Sequence, residues 1–367
     1  MVSELFRRAN ESLTMCNRLI GPICCSICMN RIGMAFLDNK GGLHHREIPP
    51  LAAIAERNGF DSIWFAEGLG GDAFCLATEC ALETNRIMLG TGITSVFTRS
   101  PTIISMAAAT VSSISSGRFI LGLGSSHKVQ VQGEHGIDYS QPLERVKETI
   151  EIARKSVKDK RISYSGDIFK IDGFEFWFDQ YPIPFPIYVG AVNPKLLRLA
   201  GQLADGIILV NSGSERVKLA LEQVSQGAKE VGRDPTSVDI AAFLDCCISE
   251  HSDVAREAMK KRLVARIGYF PRYNKLVAEQ GFERDALAVR QQFLAGNSEG
   301  AAKSISDDLV DSLVVAGTPK ECRQQVRRFV DWGVRLPIVI PYPVDESTRM
   351  AVERCVETFS VSRSANG

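Results

Sequence analysis

Between residues 31 and 342 the chain alternates short apolar runs with longer segments whose apolar positions recur every three or four residues. "RIGMAF" (31–36), "SIWFAE" (62–67), "IMLGTGI" (87–93), "FILGLG" (119–124), "IYVGAV" (187–192), "GIILVN" (206–211), "DIAAFLDCCIS" (239–249) and "LPIVIPY" (336–342) read as strands. Their near-continuous apolar character is that of parallel strands buried on both faces. Helical patterns fall between them. Pro49 and Pro50 open a helix through Ala55 that Asn58–Gly59 closes, and residues 72–84 form another. Ser100–Pro101 caps a helix with Ile103, Ile104, Ala107, Ala108, Val111 and Ile114 on one side. A helix from Gln141 to about Val157 is capped by Ser140. Asn193–Pro194 starts a further capped helix, and another runs from about Glu215 to Val231. Eight such units predict an α/β fold, a (β/α)8 TIM barrel with insertions. "SLVVAG" (312–317) reads as a helix end, because Asp307 to Val315 also has helical spacing. Residues 250–310 are too long for one crossover and are expected to form a helical insertion.

Composition narrows the class. The 367 residues are 45% hydrophobic and 23% charged, with 43 basic and 43 acidic side chains, a net charge of zero. No global basic field recruits nucleic acid or an anionic membrane, and no apolar run spans a bilayer. Ten scattered cysteines fit reduced thiols and a cytoplasmic protein. The segment "LIGPICCSICM" (19–29) invites two special readings, a signal-peptide core or a metal cluster of Cys16, Cys24, Cys25 and Cys28. The adjacent pair Cys24–Cys25 is not a regular ligand spacing and no histidine lies nearby. Residues 1–30 are therefore expected to be an N-terminal extension outside the fold, with a barrel domain over 31–360.

The stretch "GRFILGLGSSHK" (117–128) looks at first like a nucleotide loop. A dinucleotide fingerprint needs a third glycine and a prompt helix after the first strand, whereas here Gly122 and Gly124 precede His127 on the fourth strand. A phosphate loop needs Lys followed by Ser or Thr, and Lys128 precedes Val129. The alternative is a barrel strand thinned at its C-terminal end, where small residues let a flat ligand approach the backbone. "LGTGITSVFTRSP" (89–101) and "YVGAVNP" (188–194) repeat the feature. The helix start at Asn193, with Lys195 beside it, is an anion site. Five dispersed histidines exclude a histidine-rich metal centre. The Gly-x-Ser-x-Gly elbow of a hydrolase is missing, and Glu67 is the one acid well placed for paired-carboxylate chemistry. A mouth so poor in polar groups suits cofactor chemistry.

These residues resemble the luciferase-like barrel oxidoreductases, and within them the branch that uses the deazaflavin coenzyme F420. The motifs that carry the resemblance are "GFDSIWFAE" (59–67), "IMLGTGITSVFTRSP" (87–101), "SSGRFILGLGSSHK" (115–128), "IPFPIYVGAVNPKLLRLAGQLADGII" (183–208) and "VVAGTPKECRQQVRRFVDWGV" (314–334). The methylenetetrahydromethanopterin reductases of that branch look especially similar. The resemblance implies hydride transfer between coenzyme F420 and an organic small-molecule substrate. It also implies a non-proline cis peptide at Gly92–Ile93 backing the ring, and a phosphate site at Gly190, Ala191, Val192 and Asn193. Ser125 begins the turn over the same face and joins these as a cofactor-binding residue. Glu67 stands where relatives often carry Asp-His. His127 stands where the sugar-phosphate enzymes carry a glutamate. Both are catalytic candidates. Where the pterin reductases carry a glutamate on strand one, this chain has Ala35. A homodimer is expected, with contacts from helices near strands two and three. Phe174, Phe176, Trp177 and Phe178 either form a lid or cover the barrel rim. Two other functions stay open beside the F420 reading: an FMN-dependent luciferase-like monooxygenase, and a flavin-binding barrel without turnover.

Overall fold

The computed structural model describes residues 31–36, 42–68, 70–159, 161–178 and 183–361. The readings for residues 1–30, including the four-cysteine cluster, lie outside the described residues. Among these residues eight parallel strands close into a barrel: β1 (Gly33–Phe36), β2 (Ser62–Phe65), β3 (Met88–Thr91), β5 (Phe119–Gly124), β8 (Ile187–Gly190), β9 (Gly206–Val210), β10 (Asp239–Ile248) and β12 (Leu336–Pro341). Pairing of β10 with both β9 and β12 completes the circle. A two-residue strand, β4 (Thr94–Ser95), adds to β5, and an antiparallel hairpin of β6 (Arg161–Ser165) and β7 (Lys170–Glu175) stands apart.

Helices alternate with the strands as the apolar spacing requires. They are α1 (Ile48–Arg57), α2 (Ala73–Glu83), α3 (Pro101–Ile114), α4 (Pro142–Lys158), α5 (Pro194–Leu203) and α6 (Ser214–Glu230). The insertion after β10 consists of α7 (Ser252–Tyr269), α8 (Pro271–Val277), α9 (Glu283–Leu294) and α10 (Ser298–Lys303). Then follow α11 (Asp307–Leu313), β11 (Val315–Gly317), α12 (Pro319–Asp331) and α13 (Thr348–Phe359). The insertion has its own apolar core, in which Met259, Leu263, Ile267, Val277 and Val289 are buried. No described helix is long and apolar enough to cross a membrane.

Three local expectations are corrected. "SLVVAG" splits: α11 ends at Leu313, and Val315–Gly317 pair in parallel with Cys246–Ile248 of β10. Helical spacing and a three-residue edge strand are indistinguishable in so short an apolar run. The position before α4 belongs to Gln141 rather than Ser140, at φ 48° and without a side-chain cap. On α3 the buried face is Ile104, Ser105, Ala108, Ala109, Val111 and Ser112, while Ile103 and Ile114 face outward. Small residues there let α3 lie close to the barrel, so polarity alone misassigns the face.

The barrel interior explains many of the glycines. Trp64, Tyr188 and Phe243 project inward together with Ile120, Ile208, Ala241, Ile338 and Ile340. A Cβ on Gly90 would lie 2.4 Å from the Trp64 ring, one on Gly92 2.4 Å from Phe243, and one on Gly206 2.7 Å from Tyr188. An eight-stranded barrel has a fixed interior volume, so three aromatic rings need gaps on facing strands. Gly122 serves a different packing need. Its Cβ would fall 1.8 Å from the carbonyl oxygen of Thr91, whose hydroxyl bonds both the N–H and C=O of Gly122. Below the aromatic layer, Asp239 accepts from Tyr188 at 2.7 Å and from Arg31 at 2.9 Å, which plugs the N-terminal end.

The hairpin settles the position of the aromatic stretch. β6 follows directly on the C-terminal end of α4, and Ile162 pairs with Phe174. That end of a barrel helix lies at the N-terminal face of the barrel. Buried Glu148 on α4 accepts from the backbone N–H groups of Asp167, Ile168 and Phe169, which pins the hairpin along the helix. Phe176 packs against Phe174 and Phe178, with centroids 5.3 Å apart in both cases, while Trp177 is 91% exposed. Phe174, Phe176 and Phe178 therefore pack together at the face opposite the strand C-termini and form no lid over them, and Trp177 projects into solvent.

Candidate active site

In a parallel barrel the strand C-termini share one face, and side chains there point into a common mouth. At the end of β3 the Gly92–Ile93 peptide is cis, as expected. The Ile93 side chain turns across the mouth and lies over two neighbouring strand ends. Cβ atoms on Gly124 and Gly190 would come within 2.8 and 3.0 Å of it. The glycine-lined strand ends are thus not an open platform. Gly90, Gly92 and Gly206 receive the barrel's own aromatic rings, and Gly124 and Gly190 receive Ile93.

Glu67 follows β2. Its Oε1 accepts from Arg99 Nε at 2.6 Å, and Arg99 also reaches Asp72 and stacks over Phe74 at 5.1 Å. Oε2 is buried and has no hydrogen-bond partner. Burial raises the Glu67 carboxyl above its ordinary range, although Arg99 pulls the other way. The Ser95 backbone N–H also favours the ionised form, so burial outweighs two opposing contacts, and the clamp fixes one oxygen of the carboxyl.

Around β8 and β9 the site is cationic. Asn193 caps α5, with its Oδ1 accepting from Leu196 N–H at 2.9 Å. Lys195 beside it is exposed, and the buried neighbouring charge is Arg216 in the first turn of α6. Arg216 is 5% exposed and donates to the carbonyl of Val192. Its nearest carboxylate is half-exposed Glu279, 3.8 Å away, and burial pushes the guanidinium pKa down. The cation is thus buried, weakly compensated, and flanked by two helix N-termini, whose free N–H groups favour negative charge. Between them, Asn211 after β9 adopts φ 48°, is 3% exposed, and keeps its side-chain nitrogen buried without a partner. An unsatisfied buried donor at a strand end is a place for a ligand acceptor.

Ser125 and His127 lie after β5. Ser125 is buried, and its hydroxyl is 3.4 Å from Nη1 of Arg272 in α8. His127 packs against Phe270 and Tyr273, with ring centroids at 4.2 and 4.6 Å. Burial, with Arg272 and Arg266 nearby, holds its pKa down to about 4. At neutral pH the ring is uncharged, so it has no imidazolium proton to give. Sequence reading missed Arg216, Arg266 and Arg272, each distant in the chain from the residue it meets, and Asn211, which stands directly after β9 but carries no local mark of a buried, unpartnered amide.

The strand ends thus bring together a buried guanidinium, Arg216, beside the 190–193 loop, the Ile93 side chain, and unsatisfied polar atoms on Glu67 and Asn211. Comparison with known proteins adds independent information. Residues 28–336 match the family described as luciferase-like monooxygenase. The chain is 31% identical over 310 residues to a 5,10-methylenetetrahydromethanopterin reductase of Methanolobus tindarius, covering 84% of this chain and 93% of that protein. It is 31% identical over 305 residues to an F420-dependent glucose-6-phosphate dehydrogenase of Segniliparus rotundus, covering 79% and 86%. The solved coenzyme F420-dependent tetrahydromethanopterin reductase of Methanopyrus kandleri superposes with a TM-score of 0.77 over 89% of this chain and 97% of its own, at 24% identity. That structural likeness establishes the common barrel.

Proposed function

The chain belongs to the luciferase-like monooxygenase family and is an oxidoreductase, and from that premise we propose that it uses coenzyme F420 to move a hydride to or from an organic substrate. The observation that carries the reading is the buried, undercompensated Arg216 against the 190–193 loop. It supports an anionic cofactor at that rim, and the relatives named for F420 support which one.

When bound, the deazaflavin supplies the hydride chemistry. The protein's part is to position and to move protons. Gly190, Ala191, Val192 and Asn193, with Arg216, would hold the phosphate. Gly92 and Ile93 would back the ring, and the Asn211 side-chain nitrogen would donate to an acceptor on it. Ser125 borders the same space. Glu67 is assigned the proton: Arg99 fixes its orientation, and burial keeps Oε2 protonated further up the pH scale than an ordinary carboxyl. His127, neutral and packed between aromatic rings, shapes the wall and helps exclude water.

A homodimer is proposed as the working assembly. Ile103, Met106 and Ile114 on α3 and Leu82 on α2 leave exposed apolar surface that a second copy would cover. The six free cysteines among the described residues support a reducing compartment such as the cytoplasm.

The test is cofactor choice. Purified protein is titrated with coenzyme F420 and, separately, with FMN, following absorbance and fluorescence. Stoichiometric F420 binding at micromolar concentration or tighter is expected. Stoichiometric FMN binding without F420 binding would overturn the reading in favour of flavin-dependent oxygenation.

A further inference from the structure

The insertion leaves the barrel after β10 and returns over its mouth, where it roofs one side of the site. Between α8 and α9 it carries Gln280, whose side-chain amide is bonded on three sides. Nε2 donates to the carbonyl of Leu276, one turn earlier, and to the carbonyl of Asn211, each at 2.9 Å. Oε1 accepts from the Gly213 N–H at 2.8 Å. A flipped amide would set its oxygen against two carbonyls and its nitrogen against an N–H, so the partners fix its orientation. A side chain 67 positions beyond Gly213 therefore clamps both ends of the turn 211–213, which links β9 to α6.

The clamped turn holds a residue that would not stay in place unaided. Asn211 adopts φ 48°, in the left-handed region that crowds a Cβ, although asparagine enters it more readily than most residues. It is 3% exposed, and its Nδ2 is buried without a hydrogen-bond partner. Each feature costs free energy, and a free turn would relax by moving the backbone out of this region and the amide into water. Gln280 opposes both movements by tying the Asn211 carbonyl and the Gly213 N–H to one rigid group. On another side the turn lies close to α11, where a Cβ on Gly213 would meet the Ser312 hydroxyl. The unpartnered donor is thus kept at the C-terminal end of β9, on the face that carries Glu67 and Ile93. Glu279, the residue before Gln280, reaches Arg216 at 3.8 Å. Two consecutive residues of the insertion therefore meet two residues of the candidate site.

We propose that Gln280 is a positioning residue: by clamping the turn 211–213 it keeps the Asn211 amide directed at an acceptor of the bound cofactor, and it makes the insertion part of the cofactor site. The proposal rests on the F420 reading for the identity of that cofactor. With its own bonds made within the protein, Gln280 acts through Asn211.

The experiment is a double-mutant cycle on the full chain, read by fluorescence titration with coenzyme F420. Asn211→Gly keeps the left-handed backbone and removes the amide. Gln280→Leu removes the clamp at similar size, and Gln280→Met replaces it if soluble yield falls. Each single variant is expected to weaken F420 about tenfold, the worth of one hydrogen bond. The double variant is expected to lie within about twofold of the weaker single one, because both remove the same contact. The absorbance band of bound F420 is expected to shift in the same direction in both single variants, a signature that general loosening of the fold would not give. An F420 affinity within threefold of wild type in Gln280→Leu overturns the proposal. So does a double variant weakened by the product of the two single effects, which would separate Gln280 from Asn211. If F420 fails to bind the wild type, the cofactor reading falls, and hydrogen exchange of the Gly213 amide in the cofactor-free chain decides the clamp. Exchange at least tenfold faster in Gln280→Leu than in wild type supports it, and unchanged exchange overturns it.

Discussion

Replacing Arg216 by glutamine tests the cofactor site most directly. The guanidinium is buried, lies 3.8 Å from a half-exposed carboxylate, and has its pKa lowered by desolvation. Two unit charges about 4 Å apart attract by about 4 kcal/mol at an effective dielectric of about 20. Hydration of the free anion and the residual attraction of Glu279 offset part of this. A net loss of about 2–3 kcal/mol in cofactor binding is expected, which is about 30- to 150-fold in Kd. The free protein should hardly suffer, because the variant also removes a desolvated charge. A stability change within about 1 kcal/mol is expected. The assay is a fluorescence titration with coenzyme F420 beside thermal unfolding of the same samples. Glu279→Gln should move the other way, tightening F420 several-fold by removing the competing carboxylate. A folded Arg216→Gln protein with F420 affinity within threefold of wild type would refute the assignment of the phosphate to this rim.

Three further outcomes follow from the same geometry. Below pH 6.5 the unfolded chain protonates at His127 while the folded ring, with its pKa near 4, does not. Folding stability should therefore fall as pH drops through this window, by at most about 3 kcal/mol; urea unfolding of wild type and His127→Gln at pH 7.5 and 4.5 reads the difference, and equal losses in both would remove the burial argument. Glu67 has the opposite sign. Its raised carboxyl pKa makes the protein lose stability as pH rises through that value, so the Tm of Glu67→Gln relative to wild type should climb between pH 4 and pH 8, and a declining gap would contradict the burial of Oε2. Gly122→Ala places a methyl 1.8 Å from the Thr91 carbonyl oxygen, where neither strand can yield, and should cost at least about 3 kcal/mol, visible as lost soluble yield or a Tm lowered by several degrees.

The sequence is most legible where one local pattern has one physical solution. Apolar runs of four to ten residues bounded by polar helices leave a parallel barrel as the economical arrangement, and all eight barrel strands stand where that pattern puts them. Two of the three expected caps behave likewise: Ser100 and Asn193 each bond the backbone of the turn they precede, whereas Ser140 does not cap α4. The pattern falters where two structures share it. Val315–Gly317 carries no mark to separate a strand from a helix end. On α3, Ser105 and Ser112 are buried while Ile103 and Met106 are exposed, because close approach to the barrel rewards small size over hydrophobicity. Glycine near a strand end announces crowding but not its source, and here the source is Thr91, Ile93, Trp64 and Phe243 within the protein itself.

By itself, then, the order of residues determined the barrel and its strand ends, since these depend on contacts between near neighbours and on a periodicity that can be counted. The charge of the site was decided only in three dimensions. Arg216 acts on Val192, Arg272 on Ser125 and Arg266 on Asp245, pairs separated by 24, 147 and 21 residues. A guanidinium acquires its effect from burial and from how few carboxylates surround it, and both are properties of the closed barrel and the roof laid across it. His127 shows the same: its identity advertises a proton at neutral pH, and its neighbours take that proton away.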